Sequence, residues 1–423
     1  MMSEWHPAAA ILSSPQRRSQ LILMLCLPGL PVTLASVCRN NGVDDALARQ
    51  DIAEVAQEIQ RYHRLAIAEN AEGQLALSGT PLDQRLCLLH GLRRALRLSP
   101  DFVQGWFAQQ LRQHLLSGLP DKALYDERNL GALIAHAAKT LTRQFSERDG
   151  QLMLLYLQYA LVHRSPLQLT PAQQRWLAAK NEYTLALQIV ACWQKRGWQA
   201  TGESDAAQLA LLFSQLHMPS AAALLGDHER QLHAAVEQLI ANFEQLAGMR
   251  FHHPAGLSEK LYSHLAQALE RGLFGIGIDG DLTEDIASHY PRLMRTTRAA
   301  LAGVEQQYGL QFSSEELGLV AVIFGAWLMQ DGALQEKQVL LLTGDNPQLE
   351  QQIERQLREL TLLPIAIRYL DVVDFQRSSA PKGIALVITP YATPLPLYSP
   401  PLIHAELPLG EHQQLSIRAL LES

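Results

Sequence analysis

Cysteine is scarce in this 423-residue chain: Cys26, Cys38, Cys87 and Cys192 are far apart, with no C-x-x-C and no histidine at ligand spacing. That excludes a disulfide framework and a structural zinc site, and it fits a reducing, cytoplasmic setting. Long apolar runs are also missing. The nearest approach, SQLILMLCLPGLPVTLASV behind Arg17-Arg18, is cut by Pro28, Gly29 and Pro31 and has no A-x-A cleavage site. A buried helix is therefore expected there, not a leader or a membrane span, which would need about 18 or more apolar residues. Positive charge is not in excess: 35 Lys+Arg stand against 42 Asp+Glu, a net charge of −7. Such a molecule is not a basic coat for nucleic acid, so any DNA contact must be local. No G-x-S-x-G, Walker loop or H-E-x-x-H is present, and nothing points to an enzyme, a cofactor or a small-molecule substrate.

Two near-motifs fall away on context. Gly275-Ile-Gly277-Ile-Asp-Gly280 matches G-x-G-x-x-G but follows a helical pattern instead of a strand. Asp279-Gly-Asp281 begins like a calcium loop, yet Glu284 and Tyr290 occupy the places that need Gly and Glu. His252-His253 has no partner at metal spacing, so no metal site is expected.

What remains is ordinary globular composition, 48% hydrophobic and 18% charged, in a length that suits about two to four domains. Residues 1–13 read as a flexible tail. Ser14-Pro15 opens a helix, a short second helix spans Val32 to Arg39, and a third runs from Asp44 to His63 with Ile52, Val55 and Ile59 at helical spacing. Two alternating runs, Leu65–Ala68 and Gln74–Leu77, follow. Three helices and a hairpin describe a winged helix over residues 14–80. Residues 81–123 form a helical linker or second helix-turn-helix-like segment. There Leu86, Leu89, Leu92 and Leu96 make the apolar stripe, and Arg85, Arg93, Arg94 and Arg97 lie on a solvated face.

The middle of the chain reads as a duplication. Tyr156-Leu-Gln-Tyr-Ala-Leu161 aligns with His264-Leu-Ala-Gln-Ala-Leu269 at an offset of 108, and Asp205-AAQLALLF with Glu316-LGLVAVIF at an offset of 111. Two helical units are expected, over 124–226 and 227–335. From 336 to 423 the pattern changes: strands at Gln338–Thr343, Ile365–Leu370 and Gly383–Thr389 around a helix at Pro347–Leu360 describe a small α/β domain with a partly parallel sheet. The six prolines between Pro390 and Pro408 suggest an extended return path before a terminal helix. The fold class expected is thus mainly α with a C-terminal α/β domain.

The strings LYSHLAQALERGLFGIGIDGDL at 261–282, HYPRL at 289–293 and SSEELGLVAVIFGAW at 313–327 resemble the PTS regulation domain (PRD). This is the phosphotransferase-responsive module found in tandem in bacterial transcription regulators and antiterminators. The resemblance implies phosphoryl transfer from a phosphocarrier protein onto histidine, with Arg271 placed to pair with the added phosphate. Of four acceptor positions in two repeats, Tyr156, Leu212 and Ile323 have replaced three, and His264 is retained. The residues alone leave His264 open between an acceptor and a partly buried structural imidazole bonded to a neighbouring carboxylate or carbonyl. The C-terminal domain resembles the IIB domain of sugar permeases, but the loop Leu342-Thr343-Gly344-Asp345-Asn346 has no cysteine, which implies a docking or structural role without transfer chemistry.

The N-terminal helices resemble the winged helix of the same regulators, which implies that Arg49 and Gln50 contact double-stranded DNA. Residues 1–64 hold six Arg and no Lys against three Asp and three Glu, so this segment is neutral, whereas phosphate neutralisation normally supplies most non-specific affinity. Two readings follow. One is a cytoplasmic, homodimeric transcription regulator controlled through His264; the other is a non-catalytic interaction adaptor that has lost DNA binding and phosphoryl acceptance.

Overall fold

Helix α1 (Ser14–Cys26) starts where the Ser13 N–H donates to Gln16 Oε1, and Leu21 through Cys26 are all buried. The apolar run behind Arg17-Arg18 is thus core. The computed structural model describes residues 11–27, 29–200, 202–216, 226–277, 282–330, 336–362, 365–396 and 399–422. Most of the tail, Gly280 and the Asp279–Asp281 calcium-like string lie outside these residues. The chain divides into two units, residues 1–230 with 270–279, and residues 231–269 with 280–423.

In the first unit, Val32-Thr33 is a short strand, β1, and not the start of a helix. The β-branched pair pairs antiparallel with a later strand, and the Thr33 hydroxyl caps α2 (Leu34–Asn41) by accepting the Ser36 N–H. Asp44 caps α3 (Asp45–His63) in the same way through Leu47 N–H. Strands β2 (Ala66–Glu69) and β3 (Gln74–Ser78) form an antiparallel hairpin, and the sheet order is β1-β3-β2. Helix α4 (Pro81–Leu98) buries Leu86, Leu89, Leu92 and Leu96, as its stripe predicts.

Its arginines depart from the expected solvated face. Arg85 is 2% exposed, donates to the His163 carbonyl and lies over the Tyr159 ring. Arg93 donates to the Gln215 carbonyl, and Arg94 pairs with Glu58 and donates to Ser19. Only Arg97 of the four is exposed. A guanidinium near a helix-packing seam satisfies buried carbonyls and carboxylates that a single sequence cannot show.

The segment then continues through α5 (Pro100–Phe102), a π-helical stretch (Val103–Phe107) and α6 (Ala108–Gly118). The bundle that follows comprises α7 (Glu127–Thr140), α8 (Glu147–Val162), α9 (Pro171–Ala178), α10 (Asn181–Lys195) and α11 (Glu203–Leu216). The same order returns in α12 (Asp227–Ala247), α13 (Pro254–Phe274), α14 (Leu282–His289), α15 (Pro291–Tyr308) and α16 (Ser314–Gln330). In each set the short third helix packs on the last two, and those two pack on each other.

The remainder of the second unit is a four-stranded parallel sheet, in order β5-β4-β6-β7, from β4 (Lys337–Thr343), β5 (Ile365–Asp371), β6 (Ile384–Thr389) and β7 (Leu402–His404). Helices α17 (Pro347–Leu360), α18 (Val372–Ser378) and α19 (Glu411–Glu422) accompany it. The sheet is parallel throughout, not in part. The proline-rich segment supplies β7, because Pro401 needs no N–H for its carbonyl to accept from Val387 at the strand's edge.

Candidate functional site

Helix α13 has no glycine or proline between Leu257 and Glu270, and buries Leu257, Leu261, Leu265, Ala268 and Leu269 at helical spacing. His264 falls at the margin of that stripe, its side chain 14% exposed. From α16, Glu316 approaches it: the ring Nε2 lies 3.1 Å from Glu316 Oε2, and the Glu316 side chain is 5% exposed. Nε2 makes no aligned hydrogen bond among the described residues, so the pair is close but not closed. Glu316 is held in the first turn of its helix, where its own N–H donates to Ser313 Oγ. A carboxylate at a helix N-terminus is stabilised by the helix dipole and stays a proton acceptor for the ring.

Arg271 follows seven residues later on α13, about 10 Å of helix rise away. Its charge is felt at His90, which burial pushes down to about 3, with His63, Arg93 and Arg271 acting in the same direction. The three positions that the sequence aligns with acceptor sites differ from His264 in their surroundings. Tyr156 and Leu212 are fully buried, and Ile323 is half-buried on α16.

The end of α13 carries a network that the sequence did not announce. Glu270 is 1% exposed and accepts from Lys180 Nζ at 2.6 Å, from Trp176 Nε1 at 3.2 Å, and from Ser214 and Gln215. Burial is the largest influence and opposes its charge, but the Lys180 ammonium and the Ser214 and Gln215 hydrogen bonds together hold the carboxyl below its ordinary value. Beyond the helix, Arg64 donates to the Phe274 carbonyl at 2.9 Å, and the Gly277 N–H to the Tyr62 carbonyl at 2.9 Å. A Cβ on Gly277 would come within 2.8 Å of Tyr62 Cα, so the glycine-rich string read as a mere loop is a close backbone contact. Its only signal in the sequence was that pair of glycines.

On α3, Arg49 and Gln50 are both exposed, and Gln50 donates to Glu54 at 2.9 Å. The same exposed face carries Gln57, Gln60 and Arg61. Arg17 is held by Asp51 at 2.7 Å, Arg18 lies against Glu54 and Glu58, and Arg64 pairs with Asp83, so half of the six arginines face carboxylates.

In the C-terminal sheet the loop after β4 is closed from within. Glu350 Oε1 accepts from the Gly344 N–H at 2.7 Å and from the Tyr391 hydroxyl at 2.8 Å, and that hydroxyl in turn accepts from the Asn346 N–H. The Gly344 amide thus already meets a carboxylate of the same domain. His252 and His253 belong to no metal-type cluster among the described residues, and the His253 carbonyl accepts from Trp327.

Comparison with known proteins now bears on this geometry. Residues 237–327, which contain both His264 and Glu316, match the PRD domain model, and residues 337–421 match the model "Stationary phase-inducible protein CsiE, C-terminal domain". The stationary phase-inducible protein CsiE of Escherichia coli (strain K12) is 47% identical over 417 residues, covering 98% of each chain. The chain belongs to the CsiE family. This chain therefore joins a PRD to a CsiE-type C-terminal domain, and it is mainly helical with a small α/β end. Among the described residues no helix is long and apolar enough to cross a membrane.

Proposed function

We propose that this chain is a cytoplasmic, PRD-containing transcription regulator expressed in stationary phase, a homodimer in which His264 is a phosphoryl acceptor. The observation that carries this reading is the placing of a partly exposed imidazole 3.1 Å from a buried carboxylate inside the matched PRD segment. With the ring proton on Nε2 facing Glu316, the Nδ1 lone pair is the nucleophile. It attacks the phosphorus of a phosphohistidine on the phosphocarrier protein. The new N–P bond forms as the old one breaks, its electron pair stays with the donor imidazole, and Glu316 stabilises the positive charge that develops on the acceptor ring. The phosphoryl group adds about two negative charges, enough to repack a helix contact; Arg271 is its pairing partner. The event is a switch and not turnover, so no enzyme activity is proposed.

The output is altered DNA contact by residues 14–80. Their three helices, hairpin and third strand support a winged-helix reading, with Arg49 and Gln50 on the exposed face of α3. The C-terminal domain serves docking, since Glu350 fills the loop that would hold phosphate.

The test is incubation of the full chain with phosphorylated phosphocarrier protein. Wild type should take up label and His264→Ala should not. Label that persists in the variant removes the assignment. The adaptor reading rests on a different observation, an exposed face of α3 that offers Gln50, Gln57 and Gln60 beside two arginines, Arg49 and Arg61. Genome-wide capture of bound DNA separates the two: a discrete enriched site that Arg49→Ala abolishes supports the regulator, and no enrichment supports the adaptor.

A further inference from the structure

In the first unit a cavity of about 560 Å³ opens where α1, α3, α4 and the start of α8 converge, a volume typical of small-molecule sites. Its walls carry Arg93, Arg94, Arg97, Arg148, His63 and His90. Two carboxylates also line it, and both are engaged. Glu58 is paired with Arg94 and lies against Arg18, and Asp149 accepts the Ser146 N–H at 3.1 Å and the Ser146 hydroxyl at 2.7 Å. Four guanidiniums against two carboxylates leave the cavity positive by two charges. Arg97 and Arg148 are exposed at the rim and form no ion pair among the described residues.

The walls also hold donors without acceptors. Arg94 Nη2 and His63 Nδ1 are buried and have no hydrogen-bond partner among the described residues. An unmatched buried guanidinium N–H is costly and points to a missing acceptor. Burial, with the charge of Arg94, pushes His63 down to about 4, so at neutral pH it is an uncharged imidazole that can donate or accept beside the guanidiniums. Guanidinium forks match the oxygens of phosphate in pairs. Ile22 and Cys87 supply an apolar wall that a duplex backbone could not reach in so small a space.

We infer that this cavity binds a small phosphorylated metabolite, a phosphate ester or diphosphate, as an effector and not as a substrate. A ligand seated there touches α1 and α3 on one side and α4 and α8 on the other, so it braces the N-terminal helices against the first bundle. The inference does not depend on His264.

Titration calorimetry on the full chain at fixed ionic strength tests it, with inorganic pyrophosphate and phenyl phosphate as separate probes. Saturable one-to-one binding is expected, at least about tenfold weaker in Arg97→Ala/Arg148→Ala. Both substituted side chains are exposed, and an unchanged melting temperature shows that the variant is folded. Arg49→Ala, equally exposed but outside the cavity, should bind as wild type does. Binding of pyrophosphate alone supports the site and narrows the ligand to a diphosphate. No saturable binding of either probe, or full affinity in the double variant, overturns the inference.

Discussion

The two bundles carry different side chains at one corresponding helical position. On α8 it is Tyr156, 1% exposed, its phenol pushed up to about 12 by burial even though Arg85 pulls the other way. On α13, 108 residues later, it is His264, with a margin open to solvent and a carboxylate at its back. Both helices keep the flanking apolar residues: Leu157 and Leu161 in the first, Leu265 and Leu269 in the second, all buried. The apolar stripe is thus kept in both helices, and the residue at its edge differs. Around the first place, Arg85 and Tyr159 close the space; around the second, Glu316 leaves it half open.

That contrast can be broken or sharpened by mutation and by pH. The largest effect is expected from Glu270→Ala, which leaves the Lys180 ammonium buried without its carboxylate. A loss of about 3–5 kcal/mol is expected, read as a fall in melting temperature, whereas a double change to apolar residues at both positions should recover much of it. A full loss in the double variant as well would show that the contacts of Trp176, Ser214 and Gln215, not the ion pair, hold this seam.

Acid comes next. Burial, the largest influence in each case, pushes His63 and His228 down to about 4 and His90 and His163 to about 3. The unfolded chain takes up these protons at the ordinary value of about 6.5 while the native one refuses them, so stability is complete above that pH and falls as pH drops from 6.5 toward 4. At pH 6 the loss relative to pH 7 should be about 3 kcal/mol, measured by urea unfolding. All four histidines lie in the first unit, so a loss confined to probes in the second unit would contradict this account.

Tyr156→His tests the comparison directly. It places an imidazole at the position that corresponds to His264, but in a site closed by neighbours and beside a guanidinium. It should cost about 1–3 kcal/mol and add no phosphoryl label beyond that of His264. Labelling that doubles would show that burial is not what distinguishes the two bundles. The smallest stability effect, under about 1 kcal/mol, is expected for Glu316→Gln, which should slow labelling of His264 about tenfold or more without unfolding the helix pair.

Much of this architecture could be read from periodicity. The leucine stripes of α4 and α13, the start of α3 at Asp44, the hairpin after α3 and the three main strands follow local rules that need no tertiary partner. The strings around Tyr156 and His264 align together with those around Asp205 and Glu316, and each pair lies in a series of five helices. What escaped was settled at a distance. Val32-Thr33 extends because β3 offers it a partner some 40 residues on, and β7 exists because β6 has a free edge. Glu270 reads as one more charged residue on a helix until Lys180, 90 residues earlier, is seen against it. The arginines of α4 look like a solvated row until the carbonyls of His163 and Gln215 meet them. In the site itself His264 was legible by type and spacing, whereas the closeness of Glu316 is a matter of how α13 and α16 come together.

Glu350 has a meaning for how the C-terminal domain behaves toward visitors. Any oxyanion arriving at Gly344 would meet a tethered rival whose effective concentration no dissolved competitor matches, itself held by the Tyr391 phenol. The domain is thus self-liganded, and a search for its partners belongs on its outer surfaces.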